Sequence, residues 1–328
     1  MYFLLGISLI LAFVLIVNVA VAAVASAMWR IASGRIEFLS PSARARVIIG
    51  LRVMPVVLAV VFVSAFVAPS YLLLEPRQSV ETVSVKMGLI AIASSLAVLV
   101  AIFRVFRTWY VTRRLLTNWL SNATEITVPG IDGKVNLIEH PFPVIGVIGV
   151  FRPMVFVARH VLGALDEHEL AAAIDHENGH RASFDNLKRG VLRMCRDLVI
   201  LPIGSSLDNA WAETAESAAD EHAAQKGSAS ALDLASALIK IAKLVPSGMT
   251  PVLPAGAYLV EKGDEISSRV EHLISLSEAA PKTNRVYGRL STLVGLIVVA
   301  AILILPLIEN STLAATHDVV ERFVAALQ

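Results

Sequence analysis

The chain has a single cysteine in 328 residues, Cys195, so no intramolecular disulfide is possible and a reducing compartment suits it. That thiol reads as a packed side chain rather than a nucleophile. Charge is also scarce. Asp, Glu, Lys and Arg make up 17% of the residues against 56% hydrophobic ones, and the mean hydropathy of +0.69 is too high for an ordinary soluble domain. No Walker or dinucleotide-binding glycine pattern, internal repeat or low-complexity tract is present, so nothing supports a nucleotide-phosphate cradle or a solenoid. The arginine clusters lie at the ends of apolar runs, where membrane anchoring accounts for them, and no nucleic-acid partner is expected.

What is present is apolar sequence in long runs. Residues 2–28 carry no charge, and at 1.5 Å per residue they can cross a hydrocarbon core of about 30 Å. A secretory signal peptide is the competing reading, because Ala25-Ser26-Ala27 resembles a cleavage site, but the run is too long and lacks a basic leader. Residues 53–74, 87–103 and 290–308 are three further candidate spans. Between the first two lie Arg30, Arg35, Arg44 and Arg46 against only Glu37, which makes that loop cytoplasmic. In the next loop Glu75 and Glu81 balance Arg77 and Lys86, as expected outside. Arg104, Arg107, Arg113 and Arg114 then follow the third span, and Lys282, Arg285 and Arg289 precede the fourth. The expected organisation is an α-rich, multi-pass membrane protein of about four transmembrane helices. Residues 1–107 hold three spans, 108–289 a cytoplasmic α+β domain, and 290–328 the fourth span with a short exterior tail; both chain ends are exterior.

The cytoplasmic stretch contains His176-Glu177-Asn178-Gly179-His180, an H-E-x-x-H pattern. Asp166 followed by Glu169 marks a helix start just before Ala171-Ala172-Ala173-Ile174, so the pattern lies on a helix. Residues four apart on a helix share a face, which lets both imidazoles hold one metal ion with Glu177 beside them as proton carrier. A catalytic zinc takes three protein ligands. Glu216, in an alanine-rich helical run over 210–226, is the best third ligand, and Asp220 one turn on can accept the other N–H of a ligating imidazole. His222 sits six residues past Glu216 and points away. His140, His160, His168, His272 and His317 have no metal-like spacing.

Glu216-Ser217-Ala218-Ala219-Asp220 after H-E-x-x-H resembles the signature of the integral-membrane glutamate-ligand zinc peptidases. The β-lactam sensor-transducer (BlaR/MecR) type is the more similar, through Gly149-Val150-Phe151-Arg152-Pro153, Glu169-Leu170 and Asp185-Asn186; the HtpX and CAAX-protease type is more distant. The resemblance covers roughly residues 135–275. It implies a zincin-like domain, one Zn2+ per chain held by His176, His180 and Glu216, Glu177 as general base, Asp220 in support, and a bacterial cytoplasmic-membrane location. No large exterior sensor domain follows the last apolar segment, so antibiotic sensing is not among the implications.

Around the motif, residues 135–138, 144–150 and 154–158 read as strands of a small sheet. Residues 151–158 are either an edge strand that pairs with substrate or a plain core strand. Residues 191–204 read as a core or interfacial helix, with a membrane-dipping hairpin as the alternative. Ser230 caps a further helix, and 246–263 forms a loop. Arg269, in Arg269-Val270-Glu271-His272-Leu273, resembles a post-zinc-domain helix of these families and either stabilises a transition-state oxyanion or belongs to a solvated helix face. The expected function is zinc-dependent endopeptidase action on a cytoplasmic or membrane protein, in signalling or protein quality control. A non-catalytic zinc-binding signalling or scaffold protein is the alternative.

Overall fold

The computed structural model describes residues 2–76, 83–131, 133–245, 263–278 and 310–327. The expected fourth span and nearly all of the 246–263 loop lie outside the described residues. Helix α1 (Tyr2–Ala32) is followed by a 3₁₀ turn and by α2 (Pro41–Phe62). Ser40 caps α2 by accepting from the Ala43 N–H, and Pro41 occupies the first turn, where its missing N–H is not needed. A π-helical turn at Val63–Val67 carries α2 into α3 (Ala68–Leu74). Helix α4 (Val85–Leu120) is capped by Ser84. These three continuous helical segments, of 35, 34 and 36 residues, are long and apolar enough to cross a membrane.

Leu5, Leu9 and Phe13 of α1 pack against Val63, Val67 and Tyr71. Val320 and Val324 join that cluster from a C-terminal helix (Asn310–Leu327), where a short tail was expected. At about 54 Å, α4 is far longer than a hydrocarbon core, and its end reaches the second half of the chain. There Trp119 lies edge-on to Phe156, with ring centroids 5.3 Å apart.

Phe156 belongs to a four-stranded sheet, β1 (Thr124–Ile126), β2 (Val135–Ile138), β3 (Ile145–Ile148) and β4 (Met154–Ala158), in the order β1-β2-β4-β3. Strand β4 pairs parallel with β2 and antiparallel with β3. It is therefore an interior strand, and the edge-strand reading of 151–158 is corrected: the strand at that edge is β3. Gly149 makes the β3–β4 turn possible. Its φ is +114°, and a Cβ there would lie 2.9 Å from the Arg152 carbonyl oxygen.

Among the described residues the short α5 (Arg159–Ala164) is followed by α6 (Glu167–Ser183), α7 (Asp185–Asp197), α8 (Ser205–Ala224), α9 (Ser228–Leu244), α10 (Gly263–Glu278) and the C-terminal helix, α11. The sheet, α6 and α9 share one core in which Phe156, Val157, Ile174, Leu234, Leu238 and Ile241 are buried. Two boundaries differ from expectation. Residues 191–204 are not one helix: α7 stops at Asp197, and 198–204 is a loop containing Ile200 at φ 66°, Pro202 and Gly204 at φ 88°, none of which continues an α-helix easily. Ser230 is not a cap but lies inside α9, donating to the Ala223 carbonyl.

The two halves meet along α8. Trp29, Ala45 and Ile48 pack against Leu192, Leu207, Trp211 and Ala215. Arg52 of α2 is 1% exposed, and its Nε donates to Asp208 Oδ1 at 2.9 Å. A Cβ on Gly204 would lie 2.8 Å from Arg52 Nη1, so the helix start requires glycine for space as well as for its φ.

Candidate metal centre

Helix α6 begins with a complete capping box. Asp166 accepts from the His168 and Glu169 N–H groups, and the Glu169 carboxylate accepts from the Asp166 N–H. Such a cap is worth ~1 kcal/mol and fixes the phase of the helix. That phase turns His176, Glu177 and His180 inward, all buried. At Gly179 α6 lies close against α8, where a Cβ would be 3.1 Å from Ala219 Cα and 3.1 Å from His222 Cβ. The close approach brings Glu216 to the two imidazoles, and one ligand atom from each of His176, His180 and Glu216 falls within 4.8 Å of the others.

Each imidazole is oriented by a carboxylate. His176 Nδ1 is 2.9 Å from Asp220 Oδ1, and His180 Nδ1 is 2.8 Å from Asp185 Oδ2. Each Nδ1 faces its carboxylate, which leaves the two Nε2 atoms facing Glu216, each 3.5 Å from one of its oxygens. Asp185 reaches His180 because Phe184 adopts a left-handed conformation (φ 54°), which reverses the chain between α6 and α7.

Two arginines complete the shell. Arg269 Nη2 and Nε donate to the two Asp220 oxygens at 2.6 and 3.1 Å, and Arg269 Nη1 is 3.4 Å from Glu216 Oε2. The solvated-face reading of Arg269 is therefore corrected: its side chain is largely buried and clamps the carboxylates. Arg189 of α7 donates to Glu216 Oε1 at 3.0 Å. Asn186 donates to the carbonyls of Val147 and Gly149 at 2.9 and 3.0 Å, fastening the outer side of β3 to α7.

Burial raises the proton affinity of the Glu177 carboxyl, and the neighbouring His180 and His176 only partly oppose this. His180 is disfavoured as a cation by burial, but the Glu216 carboxylate and the bond to Asp185 outweigh that and push its pKa up to about 10. Glu216 is held well below the carboxylate range: burial works against this, and His180, His176 and Arg269 overcome it. Asp220 is lowered in the same way, chiefly by Arg269 against the effect of burial.

The donor set fits a metal ion. His180 Nε2, Glu216 Oε2 and both Glu177 oxygens are buried without a hydrogen-bond partner. Each such atom ordinarily costs ~1–3 kcal/mol unless something else satisfies it. A cation among these residues would satisfy the ligand atoms directly. The expected ligands and Glu177 are thus brought together on two helices, with Asp220 where a supporting carboxylate was expected. His222 packs over Gly179 and is not among the grouped ligands. Cys195 is buried, and burial pushes its thiol up to about 11, which suits a packed side chain. Among the described residues one further group, Glu75, His317 and Glu321, has metal-like proximity. Its Glu321 side chain is 43% exposed, and the His317–Glu321 distance of 3.8 Å is that of an ordinary i,i+4 pair.

Asp185, Asn186 and Arg189 were not assigned site roles from sequence. The first two carried a visible signal, the Asp-Asn pair after the second histidine; Arg189 carried none. No protein-family model, curated protein or solved structure matches the chain.

Proposed function

We propose that the chain is an integral-membrane zinc metalloendopeptidase of the glutamate-ligand kind, nearer the β-lactam sensor-transducer type than the HtpX and CAAX-protease type. It hydrolyses peptide bonds of a cytoplasmic or membrane protein. The observation that carries the reading is Glu177, a fully buried carboxyl with neither oxygen partnered, beside two imidazoles and a carboxylate that converge on one point. A purely structural site closes its fourth position with a ligand and has no use for an idle carboxyl there.

His176, His180 and Glu216 would hold the ion, and the two-nitrogen, one-carboxylate set favours zinc. Zinc there supplies Lewis-acid polarisation of the scissile carbonyl and lowers the pKa of water toward neutrality. Glu177 accepts the proton of the attacking water and returns it to the leaving amine, a role suited to a carboxyl whose proton affinity burial has raised. Asp220 and Asp185 hold the imidazoles in the tautomer that presents Nε2. Arg269 and Arg189 keep Glu216 and Asp220 ionised and in place. Main-chain pairing of substrate along the outer side of β3 would have to displace Asn186, so it is not part of the proposal.

The test is Glu177→Gln in the full chain reconstituted in liposomes, with zinc measured by atomic absorption and cleavage of an unfolded protein measured in parallel. Zinc should stay at the parent level while cleavage falls by ~10²–10⁴-fold. A parent that carries no zinc refutes the reading. If the parent carries zinc, cleaves nothing and has a cellular role that survives Glu177→Gln, the scaffold alternative is correct.

A further inference from the structure

The loop between α7 and α8, Leu198-Val199-Ile200-Leu201-Pro202-Ile203-Gly204, has no charged or polar side chain. Its tip is exposed: Ile200 by 52% and Leu201 by 51%. Ile200 is also left-handed, at φ 66°, a conformation that β-branched residues avoid. In water this segment would combine backbone strain with exposed apolar surface. In hydrocarbon the second cost disappears.

Its neighbours are the middles of apolar helices. Ile200, Leu201 and Pro202 line a groove of about 460 Å³ together with Ala93, Leu96, Ala97 and Val100 of α4. Arg104 also lines the groove and pairs with Asp197 at 2.5 Å. Asn18, buried in α1, donates to the Leu198 carbonyl at 3.0 Å. Two lengths bound the depth. The groove that the loop lines extends to Ala93, about 16 Å along α4 from Arg104, and Asn18, which holds Leu198, is about 18 Å along α1 from Arg30. Both are roughly half of a 30 Å hydrocarbon core.

Irregular backbone tolerates such a setting better the more of its polar groups are satisfied within the protein. Here the Leu198 N–H bonds to the Met194 carbonyl and the Val199 N–H to that of Arg196. The Leu201 and Ile203 N–H groups each bond two residues back, Pro202 has no N–H, and Asn18 serves the Leu198 carbonyl, so of the loop's N–H groups those of Ile200 and Gly204 are the two outside the backbone–backbone bonds. Two of the acidic groups flanking the loop are paired, Asp197 with Arg104 and Asp208 with Arg52, and Arg196 at the groove is exposed. The exposed Leu96, Leu99, Ile102 and Phe103 of α4 continue the apolar surface.

We propose that residues 198–204 are a re-entrant loop that enters the bilayer from the side carrying Arg30, Arg44 and Arg104, with Ile200 and Leu201 against lipid acyl chains. This rests on α1, α2–α3 and α4 crossing a membrane. Helix α8 then starts within the hydrocarbon. Glu216, about 16 Å up the same helix, stands near the headgroups, and the metal group is held at the membrane surface.

The test places single cysteines at Ile200 and Leu201 in a Cys195→Ala background of the full chain, labels them with a nitroxide, and reconstitutes each in phosphatidylcholine/phosphatidylglycerol vesicles. Collision with oxygen and with a water-soluble nickel chelate is read against Leu99→Cys on α4 and His168→Cys on α6, with circular dichroism matched to the parent. Labels at 200 and 201 should behave as at 99: rich in oxygen collisions, with most nickel collisions lost. Nickel access at 200 and 201 as at 168, while 99 stays lipid-exposed, overturns the re-entrant loop and leaves the membrane reading intact. Loss of both collision partners at 200 and 201 means a protein covers the tip and overturns lipid as its occupant. Nickel access at 99 as well overturns the membrane reading and the loop with it.

Discussion

Replacing Arg52 by Met removes the charge that joins α2 to the first turn of α8 while keeping a stem of similar length. Arg52 is 1% exposed and Asp208 16%, and the Nε–Oδ1 distance is 2.9 Å with a second contact of 3.5 Å. At an effective dielectric of about 20 the attraction is roughly 6 kcal/mol, from which the desolvation of two ions must be subtracted. Breaking a buried pair from one side typically costs ~3–5 kcal/mol, because the remaining ion stays buried without a partner. The partner left by Arg52→Met is Asp208, the less deeply buried of the two, so about 3 kcal/mol is expected. Asp208→Asn instead strands the more deeply buried guanidinium and should cost ~4–5 kcal/mol. The double variant should recover ~2 kcal/mol or more of the summed losses. Equilibrium unfolding in mixed detergent–SDS micelles, followed by tryptophan fluorescence, reads all three, since Trp29 and Trp211 both lie in the joint. Equal costs for the two single variants together with simple additivity would refute the buried-pair reasoning.

Other consequences are as concrete. Gly179→Ala puts a methyl 3.1 Å from Ala219 Cα, so it should cost ~1–3 kcal/mol and weaken zinc binding in equilibrium dialysis by separating α6 from α8. Asp166→Ala removes the capping box and should lower stability by ~1 kcal/mol without changing zinc stoichiometry. Glu169 is opposed by burial, but its bonds to Lys240, Ser236 and the Asp166 N–H lower its pKa below 4.5. Its contribution is therefore present above pH 4.5 and lost as pH falls through the folded value, and the stability gap between the parent and Glu169→Gln should close over that acid range. His176→Ala, His180→Ala and Glu216→Ala should each lose most bound zinc by atomic absorption, whereas Glu177→Gln should not.

The sequence exposed what depends on local periodicity. The apolar runs, the capping box and the i,i+4 histidines are all written in adjacent residues, and so is Asp220 one turn after Glu216. Partners recruited across the fold left no such trace. Arg189 lies 27 residues from Glu216, and only the reversal at Phe184 sets α7 beside α8. Arg269 looked like one charge among several on a helix; its burial depends on α10 packing against the rest of the domain. The order of β3 and β4 was hidden for the same reason, since a strand's place in a sheet is set by its pairing and not by its own residues. The break after Asp197 was legible in principle through Pro202 and Gly204, but seven apolar residues made the segment read as one hydrophobic element.

The contacts of the 198–204 loop also order events on the ribosome. Asn18 precedes Leu198 by 180 residues, and Arg52 precedes Asp208 by 156. At a synthesis rate of ~5–20 residues per second, both receiving groups leave the ribosome about eight seconds or more before the segment that needs them. The first helices can thus be inserted and paired while α6 is still being made. The second half would then mature on an existing seat, and a chain whose N-terminal helices failed to insert would have nowhere to place the start of α8 or the glutamate it carries.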